Sequence, residues 1–232
     1  PNQCLIVKGD KTALARKIGN NLKSLTLKNE KVKGIEAKNK EQALALDLLM
    51  DTKIHLVTLA GPAGTGKTIA AIAAGLELID RGKYKKLVIY KPTEAVGKDI
   101  GFLPGNLTEK LIPWMGSIFD NLEVLISQKG RRFWDLIQDY QDHGILEFNA
   151  IAHIRGRSIN NSFILIDEAQ NLRPEDIKTI LTRVGHGTKI VLTGDIEQID
   201  NDSLDSESNG LTYAIEKFKE FDLAGHLSLV KG

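Results

Sequence analysis

A chain of 232 residues, 42% hydrophobic and 26% charged, is sized for one large globular domain, or one domain with a small appendage. No run approaches the roughly 18 apolar residues that cross a bilayer, and the first residues lack the long apolar segment of a signal peptide, so no membrane partner is expected. The single cysteine, Cys4, excludes an internal disulfide and agrees with a reducing, cytoplasmic setting. The net charge of +1 says little, but its distribution is lopsided. Residues 1–40 carry ten Lys/Arg against three acids, Asp10, Glu30 and Glu36, whereas residues 195–210 carry six acids and no base. A basic end can attract nucleic acid; it is equally the solvated face of a small β module.

Residues 3–36 are predicted to form short strands and turns. Cys4–Val7 is an apolar run, Gly19-Asn20-Asn21 is a turn signal, and Ser24–Leu27 alternates. From Lys38 the texture changes, and residues 41–50 have helical composition with Ala43, Leu44, Leu46, Leu48 and Leu49 on the apolar surface. Four apolar runs come next that suit buried strands, at 54–60, 87–90, 163–166 and 190–192. Helical stretches at 69–80, 109–127 and 175–184 separate them, with Pro113 confining the regular part of the second to the residues beyond it and Pro174 suiting the first turn of the third. Leu211, Ile215 and Phe218 mark one more amphipathic helix, and residues 229–232 are expected to belong to a final strand and its turn. Apolar strands alternating with helices predict a mostly parallel α/β sheet covered on both faces, with a small N-terminal β appendage. The expected division is a β module at 1–36 and a main domain at 37–232.

The segment Gly61-Pro62-Ala63-Gly64-Thr65-Gly66-Lys67-Thr68 fits G-x-x-x-x-G-K-[ST] between an apolar strand and a helix. In such a loop, backbone N–H groups and the helix N-terminus point at phosphate, and Ile69 continues the same binding segment. Lys67 is expected to neutralise the β- and γ-phosphates, and the Thr68 hydroxyl to coordinate Mg²⁺. The run Phe163-Ile164-Leu165-Ile166-Asp167-Glu168 places two carboxylates at a strand tip, where ligands of α/β folds bind. Asp167 is assigned to the metal, and Glu168 to the attacking water. A third strand leads into Thr193-Gly194-Asp195-Ile196-Glu197-Gln198, where Gln198 is the candidate γ-phosphate sensor, supported by Thr193 and Asp195. His55, His143, His153, His186 and His226 lack metal-ligand spacing, so no structural zinc is expected. Trp114 and Trp134 read as core aromatics sooner than as base-stacking platforms.

Together these residues resemble the PhoH family of P-loop ATPases, which are related to superfamily-one helicases. Further stretches carry the resemblance: residues 39–42, Lys91-Pro92-Thr93, the run from Gly97 to Gly105, Ile154-Arg155-Gly156-Arg157, and Asp167-Glu168-Ala169-Gln170-Asn171. The resemblance covers nearly all of the chain from about Ile35 and implies a RecA-like P-loop fold that hydrolyses ATP to ADP. It also implies that Gln42 reads adenine, its amide donating and accepting at once. Lys91 and Lys98 are then placed where related motors contact a nucleic-acid backbone, and Arg155 and Arg157 where phosphate of RNA or of a neighbour's nucleotide is held. The likeness is strongest to the ATPase half of proteins that join a PIN ribonuclease domain to a PhoH domain, so an isolated ATPase module without nuclease activity is expected. The stretch after Asp195 is too short for a second motor domain, which puts the catalytic arginine on another subunit; the PhoH resemblance likewise implies a homo-oligomeric ring, a hexamer. Single-stranded RNA is the expected substrate or stimulator. An ATP-gated assembly module is the alternative, and a small-molecule kinase fits the Asp167-Glu168 pair less well.

Overall fold

The computed structural model describes residues 1–8, 13–25, 30–92, 114–154 and 158–232. Three short strands, β1 (Cys4–Val7), β2 (Ala13–Ile18) and β3 (Asn21–Ser24), form an antiparallel sheet in chain order. After it come α1 (Lys40–Met50), β4 (Leu56–Ala60), α2 (Lys67–Asp80) and β5 (Lys86–Lys91). Next are α3 (Gly116–Ile126), α4 (Phe133–Asp142), β6 (Leu146–Ala150), β7 (Ser162–Ile166) and α5 (Pro174–Leu181), and last β8 (Lys189–Gly194), α6 (Gly210–Phe218) and β9 (Ala224–Ser228).

The six later strands pair in parallel in the order β6-β5-β7-β8-β4-β9. The central strands β4, β7 and β8 are buried along their whole length, which is why each is mostly apolar, with the buried polar residues Thr58, Ser162, Lys189 and Thr193 as the exceptions. Alternate residues serve opposite faces. Val57, Leu59, Phe163 and Leu165 pack into the core roofed by α1, α2, α3 and α4, while Leu56, Ala60, Ile164 and Ile166 pack into the core under α5 and α6.

Three features depart from the expected elements. The sheet has six strands: beside the four predicted buried runs stand β6, which has no counterpart among the expected elements, and β9, which takes the place of the final strand expected at 229–232 but lies earlier, at Ala224–Ser228. Both are edge strands with mixed polarity, Leu-Glu-Phe-Asn-Ala and Ala-Gly-His-Leu-Ser, so neither shows the apolar run that marks a buried strand. The helix α4, between residues 127 and 146, has no counterpart among the expected elements. The last strand ends at Ser228, so residues 229–232 lie beyond it; Leu229 N–H still donates to the Ala60 carbonyl at 2.8 Å.

Buried charge fastens the N-terminal sheet to α1. Arg16, 1% exposed, pairs with Asp47 at 2.8 Å and with Asp51, and also donates to the Asn2 side chain at 3.2 Å. Asn2 in turn donates to the carbonyls of Asp222 and Ala224, both at 2.8 Å, just before and at the start of β9. Burial pushes the Asp47 carboxyl upward against the pull of Arg16. Burial raises Asp51 too, but hydrogen bonds from Arg16 and from Lys53 N–H outweigh it and hold that carboxyl low. Lys189, wholly buried at the foot of β8, donates to the carbonyls of Leu48, Leu49 and Asp51 and so closes the C-terminus of α1. Burial pushes its ammonium down to about 7, against the opposing pull of Asp51.

Candidate nucleotide site

The parallel register brings three strand tips level. Ala60 of β4 pairs with Gly194 of β8, and Ile166 of β7 with Leu192 of β8, so the segments after them emerge side by side at the C-terminal edge of the sheet. Gly61 N–H donates to the Gly194 carbonyl at 3.1 Å, which ties the first loop to the third.

From β4 the chain runs through residues 61–66 into α2, whose N-cap is the left-handed Gly66. Lys67 is buried, and its ammonium donates back to the carbonyls of Gly61 and Pro62, the latter at 2.8 Å. The Thr65 hydroxyl donates to the Pro62 carbonyl at 2.8 Å and keeps the loop compact. Burial lowers the Lys67 pKa, opposed by Asp195, Asp167 and Glu168 in that order, so the three carboxylates favour its charged form. Gly61 has φ +144°, and a Cβ there would lie 2.0 Å from the Leu229 carbonyl oxygen. Gly61→Ala is therefore expected to displace residues 229–232 and cost about 1–3 kcal/mol, read as a lowered thermal midpoint with weaker nucleotide binding.

At the tip of β7, Asp167 is buried and its N–H donates to the Tyr90 carbonyl at 3.0 Å. Its Oδ1 accepts from the Thr68 hydroxyl at 2.9 Å and from the Thr193 hydroxyl at 2.6 Å, so all three loops converge on one carboxylate oxygen. Glu168 comes next at φ +56°, a left-handed conformation unusual for this residue type, which turns its side chain into the cleft wall. The hydroxyl–carboxylate pair is a hard-oxygen donor set. Magnesium asks for little more from a protein, because phosphate oxygens and waters complete its octahedron. No cluster of three or more His, Cys, Asp or Glu side chains placed to hold a metal occurs among the described residues.

The cleft has a volume of about 330 Å³. Its walls come from the loop and α2 (Ala63, Gly64, Gly66, Lys67, Thr68 and Ile69), from Asp167 and Glu168, from Gly194, Asp195 and Gln198, and from Ser117 and Asn121 of α3. Gln198 sits exposed in the turn after β8, its N–H donating to the Asp195 carbonyl at 3.1 Å. Gly61, Pro62 and Thr65 form the loop's base, off the cleft wall, and Gln42 lies behind them. The Gln42 amide donates to the Thr65 carbonyl at 3.1 Å and accepts from Lys38 N–H at 2.9 Å.

Two parts of this arrangement are not visible in the sequence. Ser117 and Asn121 reach the cleft because α3 packs on α2, and nothing in their local pattern distinguishes them from other polar residues on an amphipathic helix. Gln170, 1% exposed, hydrogen-bonds to both carboxyl-bearing loops; its place three residues after Asp167 is legible, its contacts are not. Of the proposed nucleic-acid contacts, Lys91 donates to the Ser117 hydroxyl at 3.4 Å, while Lys98, Arg155 and Arg157 lie outside the described residues, as do residues 97–105. Trp134 is half exposed and lies against Phe119 with the ring planes tilted by 60° and the centroids 5.0 Å apart.

A parallel sheet with a glycine-rich phosphate loop after β4, a carboxylate pair after β7 and a polar turn after β8 defines a P-loop nucleoside-triphosphatase fold. The chain belongs to the PhoH family: the family described as PhoH-like protein matches residues 34–231. Protein PhoH2 of Bacillus subtilis strain 168 is 51% identical over 239 aligned positions, spanning 100% of this chain and 54% of that protein. Protein PhoH2 of Mycolicibacterium smegmatis is 40% identical, over 87% of this chain and 45% of its own length. The chain thus spans about half the length of these curated relatives. Among solved structures, the Pif1 helicase from Candida albicans aligns with 85% of this chain and 40% of its own, at 15% identity and a TM-score of 0.40. No helix among the described residues is long and apolar enough to cross a membrane.

Proposed function

We propose that the chain is a Mg²⁺-dependent ATPase whose turnover is coupled to single-stranded RNA. The observation that carries the ATPase reading is the convergence of the Thr68 and Thr193 hydroxyls on Asp167 beside Lys67 and Glu168. In this reading the loop N–H groups and Lys67 bind the β- and γ-phosphates of ATP. Thr68 and Asp167 hold the metal, which when bound supplies charge neutralisation on the phosphate oxygens. Glu168 accepts the proton of the attacking water, and Gln198 senses the γ-phosphate from the neighbouring strand tip. Gln42, whose amide donates to the Thr65 carbonyl, is in this reading the residue that meets an adenine edge beside the loop.

The RNA part of the proposal rests on family membership, on the basic N-terminal region and on Lys91, with Lys98, Arg155 and Arg157 as further candidates. A homo-oligomer, in the form of a hexameric ring, supplies the arginine that stabilises the transition state. Phosphate release from ATP, with and without Mg²⁺ and single-stranded RNA, tests the reading directly. Metal-dependent release that rises with RNA is the expected result. Release indifferent to RNA, accompanied by ATP-dependent assembly in sedimentation, would replace the RNA-coupled reading with that of an assembly switch.

A further inference from the structure

Gln170 stands between the two halves of the cleft with every polar atom of its side chain engaged. Its Nε2 donates to Glu168 Oε2 at 2.7 Å and to the Gln198 carbonyl at 2.9 Å, and its Oε1 accepts from Asp195 N–H at 3.2 Å. The amide orientation is fixed by these partners, because turning it over would set its oxygen against the Glu168 carboxylate and its NH₂ against a backbone N–H. The fit is close: a Cβ on Gly194 would lie 2.1 Å from Gln170 Oε1, so a side chain there would displace the amide. The charged groups of this part of the cleft are Asp167, Glu168, Asp195 and Lys67, and Gln170 is the neutral group that joins Glu168 to the turn carrying Gln198.

From this geometry we infer that Gln170 is a positioning residue, a clamp that sets the Glu168 carboxylate at a fixed place relative to the Asp195–Gln198 turn. Glu168 has a side chain with three rotatable bonds on a left-handed backbone, and Gln170 is what holds one of its oxygens. The same amide nitrogen holds the backbone of the sensor residue, so the water-activating group and the sensor move as one. This inference rests on the hydrolysis reading above and adds to it a residue that touches neither nucleotide nor water.

The test is a double-mutant cycle on the whole chain, with ATP turnover and the binding of a fluorescent ATP analogue both measured. Gln170→Leu is expected to lower kcat about 10- to 100-fold, a fraction of what a general base contributes, with KM and analogue affinity nearly unchanged. Gln170→Glu keeps the shape and the acceptor for Asp195 N–H but sets a second carboxylate against Glu168 and the Gln198 carbonyl, so it should lose at least as much kcat and melt below the parent, with analogue binding showing that the site is still folded. On a Glu168→Gln background, either substitution should cause little further loss, since the carboxylate it positions is gone. Losses that multiply across the two sites, or Gln170→Glu turnover equal to the parent's, would overturn the clamp. Unchanged turnover in Glu168→Gln alone would instead overturn the catalytic reading on which the clamp depends.

Discussion

Glu168→Gln is expected to reduce ATP turnover about 10²–10⁴-fold, the range a positioned general base contributes, while ATP binding survives. The two effects separate because of where the groups sit. In the proposed reading phosphate is bound by the loop before α2 and the metal by Thr68 with Asp167, whose side chains are joined at 2.9 Å. Glu168 belongs to neither set; it enters the cleft wall from a left-handed backbone one residue beyond Asp167. Removing its charge while keeping its shape leaves the Gln170 bond geometrically possible and the rest of the cleft intact. Rapid quench of a preformed ATP complex, alongside equilibrium binding, gives both quantities. Turnover that persists within a few-fold would mean that another group activates the water.

Arg16→Met is expected to destabilise the junction between the N-terminal sheet and α1 by about 3–5 kcal/mol, the cost typical of leaving one partner of a buried ion pair alone. Arg16 is 1% exposed and serves Asp47, Asp51 and Asn2 together, and Asn2 carries the connection on to β9. The pH dependence has a definite sign. Asp47 already has a raised pKa from burial, and losing Arg16 raises it further. A carboxyl whose folded-state pKa lies above its unfolded value takes up a proton on folding, so its contribution weakens as pH rises and recovers as pH falls. The variant should therefore regain much of the lost stability from neutral pH down into the carboxylate range. Amide exchange in residues 13–24 and at α1, followed against pH, would show it. A pH-independent loss would mean that packing around Leu14, rather than charge, fastens the sheet.

The phosphate loop and the carboxylate pair can be read directly because their chemistry is local: glycines, a lysine and a threonine within eight positions, and two acids closing an apolar run. The buried strands β4, β7 and β8 are equally legible, since a strand covered on both faces is written as a largely continuous apolar run. The edge strands β6 and β9 are not, because one side of each is open and their residues alternate or mix.

Fold class and family are thus carried by the amino-acid sequence itself, as are the residues proposed to face phosphate and metal. Other roles emerge only in the folded chain. Arg16 reads as one more surface cation until Asp47 and Asp51 are seen on the facing turn of α1. Lys189 reads as the polar start of a strand until its ammonium meets three helix-end carbonyls. Gln170 becomes a clamp only when the parallel register sets β7 beside β8. Each depends on partners distant along the chain, and a buried polar group takes its meaning from the partner that satisfies it, which no local pattern contains.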